Sequence, residues 1–205
     1  KIITLGVGKS GHIAQKISAT LSSTGSPSYF IHATEALHGD IGVISKNDSV
    51  LILSHSGESK EIIDLIPSLK NIGCKIFSFT GPTKSTIAKS TDINISTEVD
   101  KEACPLDLAP TSSTTAALAL GDALAIALLE SRKFSPQEFA KSHPGGKLGK
   151  KLTLKVEDIM SKGKDFPFVS PNTLLSKAIV EISNKRLGIV TVVDKKKLKD
   201  RKSVV

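Results

Sequence analysis

Short β-branched, apolar runs alternate with amphipathic stretches through the first 130 residues. Ile2–Leu5, Ser28–Ile31, Val50–Ser54, Lys75–Phe79 and Ile93–Ser96 predict strands, because β-branched and aromatic side chains cluster there between turn formers. Gly11–Ser22, Lys60–Asn71, Ser85–Lys89 and Thr111–Ser131 predict helices from their spacing of apolar positions. Strands alternating with helices imply right-handed crossovers and a parallel sheet covered on both faces, hence an α/β domain. Ligands of such sheets bind beyond the carboxyl ends of the strands. The polar clusters at Gly6–Gly11, Ser54–Ser59, Thr80-Gly81 and the loop before Thr111 all fall at that edge.

The pattern changes after the fourth helix. Its stretch Ala116–Ala125 is apolar nearly all round and rich in small residues, which suits a helix central in its domain and packed on a subunit partner. A basic, glycine-rich link then runs through Ser142-His143-Pro144-Gly145-Gly146 to Lys151. A second unit starts near Val156, with a helix expected at Leu174–Lys185 and a strand at Ile189–Val193. The reading is a first domain over 1–140, a linker over 141–155, a partial second module over 156–199, and a non-native tail over 200–205 where Asp200–Val205 breaks the pattern.

Charge and composition narrow the classes. The net charge is +8, but residues 1–140 carry 12 basic and 14 acidic side chains, against 16 and 6 in residues 141–205. The excess is therefore terminal, its densest part Lys195-Lys196-Lys197 reads as a turn, and no aromatic residues interleave it. That is a solvated lysine surface and not a nucleic-acid site. No apolar run approaches the length of a membrane span, so no membrane contact is expected. Two cysteines, Cys74 and Cys104, make no disulfide framework and suit a cytoplasmic protein.

Gly6-Val7-Gly8-Lys9-Ser10-Gly11 follows the first strand directly and fits G-x-G-x-x-G at a strand-to-helix turn. Glycines there admit a close anion, and the helix offers it unpaired N–H groups. A nucleotide P-loop would need a further glycine where Ile3 stands. A dinucleotide fold would need an acid at the end of the second strand, where His32 stands and Glu35 comes late. A sugar phosphate remains. Ser54-His55-Ser56-Gly57-Glu58-Ser59 forms a second loop of this kind, and its hydroxyls with Ser10 can hold a phosphate monoester without a metal.

The pairing of Gly6–Gly11 with Ser54–Ser59 resembles the sugar isomerase (SIS) domain, a three-layer, flavodoxin-like fold. Further segments narrow the likeness: Glu35–Asp40, Lys101-Glu102-Ala103-Cys104-Pro105-Leu106, Leu108–Thr115 and Ser142–Gly146. Together they resemble the D-arabinose 5-phosphate isomerase family, from the first residue to about Lys199. The resemblance implies interconversion of D-ribulose 5-phosphate and D-arabinose 5-phosphate, the entry to Kdo and lipopolysaccharide, by a tetramer. It places the catalytic lysine, two glutamates and histidine on Lys9, Glu61, Glu102 and His143. It also places substrate contacts on His38, Gly25 and Ser26, and an inhibitory zinc on His32. Residues 156–199 resemble the start of a CBS module, and the helical region that the family places before its first strand is lacking.

The chemistry agrees with these residue types. Aldose–ketose exchange moves a proton between neighbouring carbons through a cis-enediolate, which needs a base, an acid and a cation, and no cofactor. Lys9 suits the cation; which glutamate or histidine is the base stays open. Each residue has an ordinary role too. Glu61 favours a helix dipole, Glu102 can pair with Lys101, and His32, His38 and His143 can be structural. Because His143 lies far along the chain from the loops, it is expected to enter a neighbouring subunit's site. The rivals are another ketose-phosphate isomerase of this fold and a sugar-phosphate sensor without turnover.

Overall fold

The computed structural model describes residues 1–143 and 145–203; Pro144 of the glycine-rich link and Val204 and Val205 of the tail lie outside the described residues. Strands β1 (Ile2–Gly6), β2 (Ser28–His32), β3 (Ser49–Ser54), β4 (Lys75–Thr80) and β5 (Ile93–Ser96) make a parallel sheet in the order β2-β1-β3-β4-β5. All five fall where the apolar runs predict them.

Alternation along the central strands builds two cores. Ile3, Leu5, Val50, Ile52 and Ile76 face helices α2 (Ala33–Leu37), α3 (Lys60–Ile72) and α4 (Thr86–Ser90), meeting Ala36, Ile62, Leu65, Leu69 and Ile87. Leu51, Leu53, Phe77 and Phe79 face the other way, onto α1 (Gly8–Ser23) and α5 (Ser112–Ser131) through Ala14, Ile17, Leu21 and Ala125. The expected three layers follow. Gly6 packs so closely on α1 that a Cβ there would stand 2.9 Å from the Cα and N of Gly11, which is why the turn requires glycine.

Helix α5 is long and apolar enough to cross a membrane, by length and composition alone, contrary to the expectation that nothing in the chain approaches a span. Its small residues explain the composition differently. Gly121 seats against Ile17 of α1, Ser113 and Ala125 are buried, and Lys16 pairs with Asp122 at 2.5 Å along the same seam. A side chain at Gly121 would run into Ile17, so Gly121→Leu is expected to cost about 2 kcal/mol in urea unfolding.

Helix α2 escapes the apolar pattern because it is only five residues long; His32 caps it, its Nδ1 accepting the N–H of Thr34 at 3.3 Å. Two further helices follow α5: α6 (Pro136–Ser142), at the end of the expected first domain, and α7 (Lys147–Thr153), inside the stretch read as a linker. A capping box of Ser135 and Glu138 starts α6. The compact first unit consequently runs to Thr153 instead of 140, and a second unit comprises residues 154–205.

In that second unit α8 (Val156–Ile159) leads to a mixed sheet in the order β6 (Phe168–Val169), β7 (Ile189–Asp194), β8 (Lys197–Ser203). One face is closed by α9 (Leu175–Lys185) through Ala178 and Ile182 on Val190. Lys195 and Lys196 adopt positive φ in the β7–β8 turn, as the lysine run suggests. Asp200–Ser203, read as tail, continue β8 against β7; main-chain pairing asks little of side chains, and every residue of β8 is exposed.

Candidate active site

The order of strands reverses between β1 and β3, so the loops at their carboxyl ends diverge and leave a crevice. A cavity of about 270 Å³ opens there. Lys9 and Ser10, from the first turn of α1, line one side; Ser54, His55, Ser56 and Ser59, from the β3–α3 loop, line another. Pro110, Ser113 and Thr114 at the start of α5, with Thr97 after β5, complete it. Neither α1 nor α3 has a side chain capping its N-terminus. Two sets of unpaired N–H groups and two positive dipole ends therefore meet at a cavity that also holds an ammonium, a preformed anion site.

The serine loop is shaped by Gly57, whose φ of +67° belongs to glycine and whose missing Cβ makes room for Ser85. The buried Ser54 hydroxyl lies 2.9 Å from that of Ser59 and accepts the N–H of Gly57 at 3.2 Å. Ser56 accepts the N–H of Glu58 at 3.2 Å, and the Glu58 carboxylate accepts the N–H of Thr86 at 2.7 Å, tying the loop to α4. Hydroxyls are thus held in place without being consumed, since each can still donate or accept.

Glu102 sits on the N-terminus of α5. Its carboxylate accepts from the Ser113 hydroxyl and N–H, and from Thr111 N–H at 2.7 Å and Oγ1 at 3.0 Å. The Ser113 hydroxyl does most to lower its pKa, and burial opposes it; the value falls from 4.5 to about 2. Glu102 is therefore a carboxylate throughout the neutral range. A folded-state value below the unfolded one means that its stabilisation is complete above about pH 4.5 and fades as pH falls toward 2. Acid unfolding followed by circular dichroism is expected to show this loss in the wild type and a flatter slope in Glu102→Gln.

The other expected site residues are dispersed. Glu61 occupies the first turn of α3 and is exposed, outside the cavity lining. His38 ends α2, also exposed, and His32 lies beside Gly6 at the carboxyl edge with one ring nitrogen taken by its cap. Among the described residues no group of three or more His, Cys, Asp and Glu could hold a metal, so a metal at His32 would need ligands from elsewhere. Gly25, Ser26 and His143 stand at the opposite, amino edge of the sheet. Arg132 donates to the Gly25 carbonyl at 2.8 Å, and Ser142 to that of Ser23 at 3.2 Å, so both stations lie at the far end of α1. Lys9 is the second residue of the 16-residue α1, so about 20 Å of helix separates it from that end. No five-carbon phosphate spans it within one chain.

His143 is nevertheless held in one ring orientation. Its ring stacks on Phe139 at 3.9 Å, and Nδ1 faces the Phe139 carbonyl at 2.9 Å, which can only accept. Nδ1 thus carries the proton and Nε2 is the accepting nitrogen of the neutral ring. Ser26 is fully buried with its hydroxyl unpaired among the described residues. The site residues not foreseen are Thr97, Pro110, Ser113 and Thr114. The run of hydroxyls opening α5 was the signal for Ser113 and Thr114, since Ser and Thr collect at helix starts for capping and for anions alike.

Comparison with known proteins agrees with this architecture. The SIS domain family matches residues 1–127. "Arabinose 5-phosphate isomerase KdsD" of Pseudomonas aeruginosa is 53% identical over 194 residues, covering 95% of this chain and 60% of that protein. The protein of the same name from Escherichia coli K12 is 50% identical, with 95% and 59% covered. The chain thus spans about three fifths of the length of these curated relatives. The solved structure of Escherichia coli CFT073 c3406 in complex with arabinose 5-phosphate matches at a TM-score of 0.69 and 48% identity, over 70% of this chain and 77% of that one. Matching family, strand order and paired phosphate loops agree, and the chain belongs to the SIS domain family.

Proposed function

We propose that the protein interconverts D-ribulose 5-phosphate and D-arabinose 5-phosphate as an aldose–ketose isomerase, the first step toward Kdo and lipopolysaccharide. The observation that carries this reading is Lys9, an ammonium placed at a cavity whose other polar lining is hydroxyls and His55, with two uncapped helix ends beside it. The phosphate docks on Ser54, Ser56, Ser59 and the N-termini of α1 and α3. Lys9 then faces the C1–C2 oxygens and stabilises the enediolate oxyanion, with no cofactor taking part. Relatives at about half identity named for this activity, and a neighbour solved with arabinose 5-phosphate, support the choice of pentose.

The reading extends to assembly. The distance between Lys9 and His143 in one chain is consistent with a homotetramer whose sites are shared, His143, Gly25 and Ser26 of one copy serving the cavity of another. The apolar residues that α5 leaves partly exposed offer a surface for such contact. Residues 156–199 are read as the beginning of a CBS module, and the protein as cytoplasmic, where sugar phosphates are made.

Incubating the full-length protein with D-ribulose 5-phosphate in deuterated water tests the reaction. An enediolate route gives arabinose 5-phosphate carrying deuterium at carbon 2. Binding with neither product nor exchange would make the protein a sugar-phosphate sensor instead.

A further inference from the structure

Between β5 and α5 the chain crosses the carboxyl edge without regular structure, and at its centre lies a small closed clasp. Asp107 is the turning point. Its φ of +53° is left-handed, a conformation that Asp tolerates through local hydrogen bonds and most side chains do not. Its N–H reaches the Cys104 carbonyl at 2.8 Å, and its Oδ1 accepts the N–H of Glu102 at 2.7 Å. Thr111 closes the other side: its Oγ1 accepts the N–H of Ala103 at 2.8 Å while donating to the Glu102 carboxylate. Glu102 is therefore held twice, by its backbone on Asp107 and by its carboxylate on α5.

The clasp has little else to do. Residues 105–110, Asp107 among them, are all exposed, including Leu106 and Leu108 at 73% and 77%. No apolar core depends on this turn. Strained backbone that supports no packing but fixes one carboxylate beside a reactive cavity is better explained by that carboxylate's task than by folding.

We infer that Asp107 is a positioning residue, fixing Glu102 at the mouth of α5 so that its carboxylate, with Ser113, keeps one arrangement toward the bound sugar. The inference rests on the isomerase reading and deepens it. A carboxylate displaced by about 1 Å can cost on the order of 10²-fold in rate, while an exposed substitution that accepts the left-handed backbone leaves stability within about 0.5 kcal/mol.

The test is isomerase kinetics of the full-length protein carrying Asp107→Gly or Asp107→Asn, with melting temperatures beside them. Asp107→Gly, which removes the carboxylate but accepts the left-handed backbone, is expected to lower kcat at least tenfold, with KM within about threefold and little change in melting, because phosphate binding belongs to the other wall. Asp107→Asn, which keeps both an accepting oxygen and tolerance of left-handed backbone, is expected to recover at least half of wild-type kcat. Wild-type kcat in Asp107→Gly would overturn the inference, as would an Asn variant as impaired as Gly. A fall in kcat that tracks a fall in melting temperature would overturn it too, making the clasp structural. A wild type with no isomerase activity would instead overturn the reading on which the inference stands.

Discussion

Lys9→Ala is expected to abolish nearly all turnover, lowering kcat/KM for D-ribulose 5-phosphate by about 10³-fold, the loss typical when one donor to a developing oxyanion is removed. Lys9 is exposed and its side chain supports no core contact, so melting should shift by no more than that of a surface substitution. The loss should appear mainly in kcat. The serines and the two uncapped helix ends still receive the phosphate in the ground state, whereas the enediolate charge loses its partner. If KM rose instead and kcat held, Lys9 would be a phosphate clamp, and the oxyanion would need another cation.

The second large effect concerns assembly. Mixing Lys9→Ala with His143→Ala subunits, by co-expression or by refolding together, is expected to restore activity that neither variant has alone. If each site takes Lys9 from one copy and His143 from another, random equal mixing leaves about a quarter of the sites intact. The length of α1 makes this demanding: within one chain His143 sits about 20 Å from Lys9. Recovery near a quarter fits sharing between two copies. No recovery, with co-assembly verified, would confine His143 to a structural role on Phe139.

Glu102 illustrates how local order alters a chemical assignment. In the sequence it stands beside Lys101 and could be a solvated partner of it. In the fold its carboxylate turns instead to Thr111 and Ser113, which drive its pKa down to about 2. A carboxylate so stabilised is a weak proton acceptor until a substrate displaces those donors. On the proposed reading, whether Glu102 can act as the base depends on what a bound sugar does to this cap, and Asp107 holds the cap in register.

Much of the first unit was legible in the residues themselves. Five β-branched runs became five strands and the four expected helical stretches, one of them short, became helices, because burial on both faces of a parallel sheet demands continuous apolar strands. The phosphate loops were legible for an equally local reason. Gly6 and Gly57 stand where backbone must turn or approach closely, and serines follow within a few residues. Three short elements were not. The five residues of α2 and the seven of α6 carry too little periodicity, and α7 follows directly on the glycines of the link.

The class of fold and the gathering of the glycine and serine loops at one edge of the sheet follow from the order of residues, and so does the expectation of a sugar phosphate there. Which of the named residues meet follows from the packed chain. Folding joined Lys9, Ser10, Ser54, His55, Ser56 and Ser59 around one cavity, recruited Thr97, Ser113 and Thr114, and sent Gly25, Ser26 and His143 to the opposite edge. The reason is geometric. Periodicity and glycine placement act over a few residues, whereas the sharing of a cavity depends on strand order and on a helix long enough to carry its two ends apart.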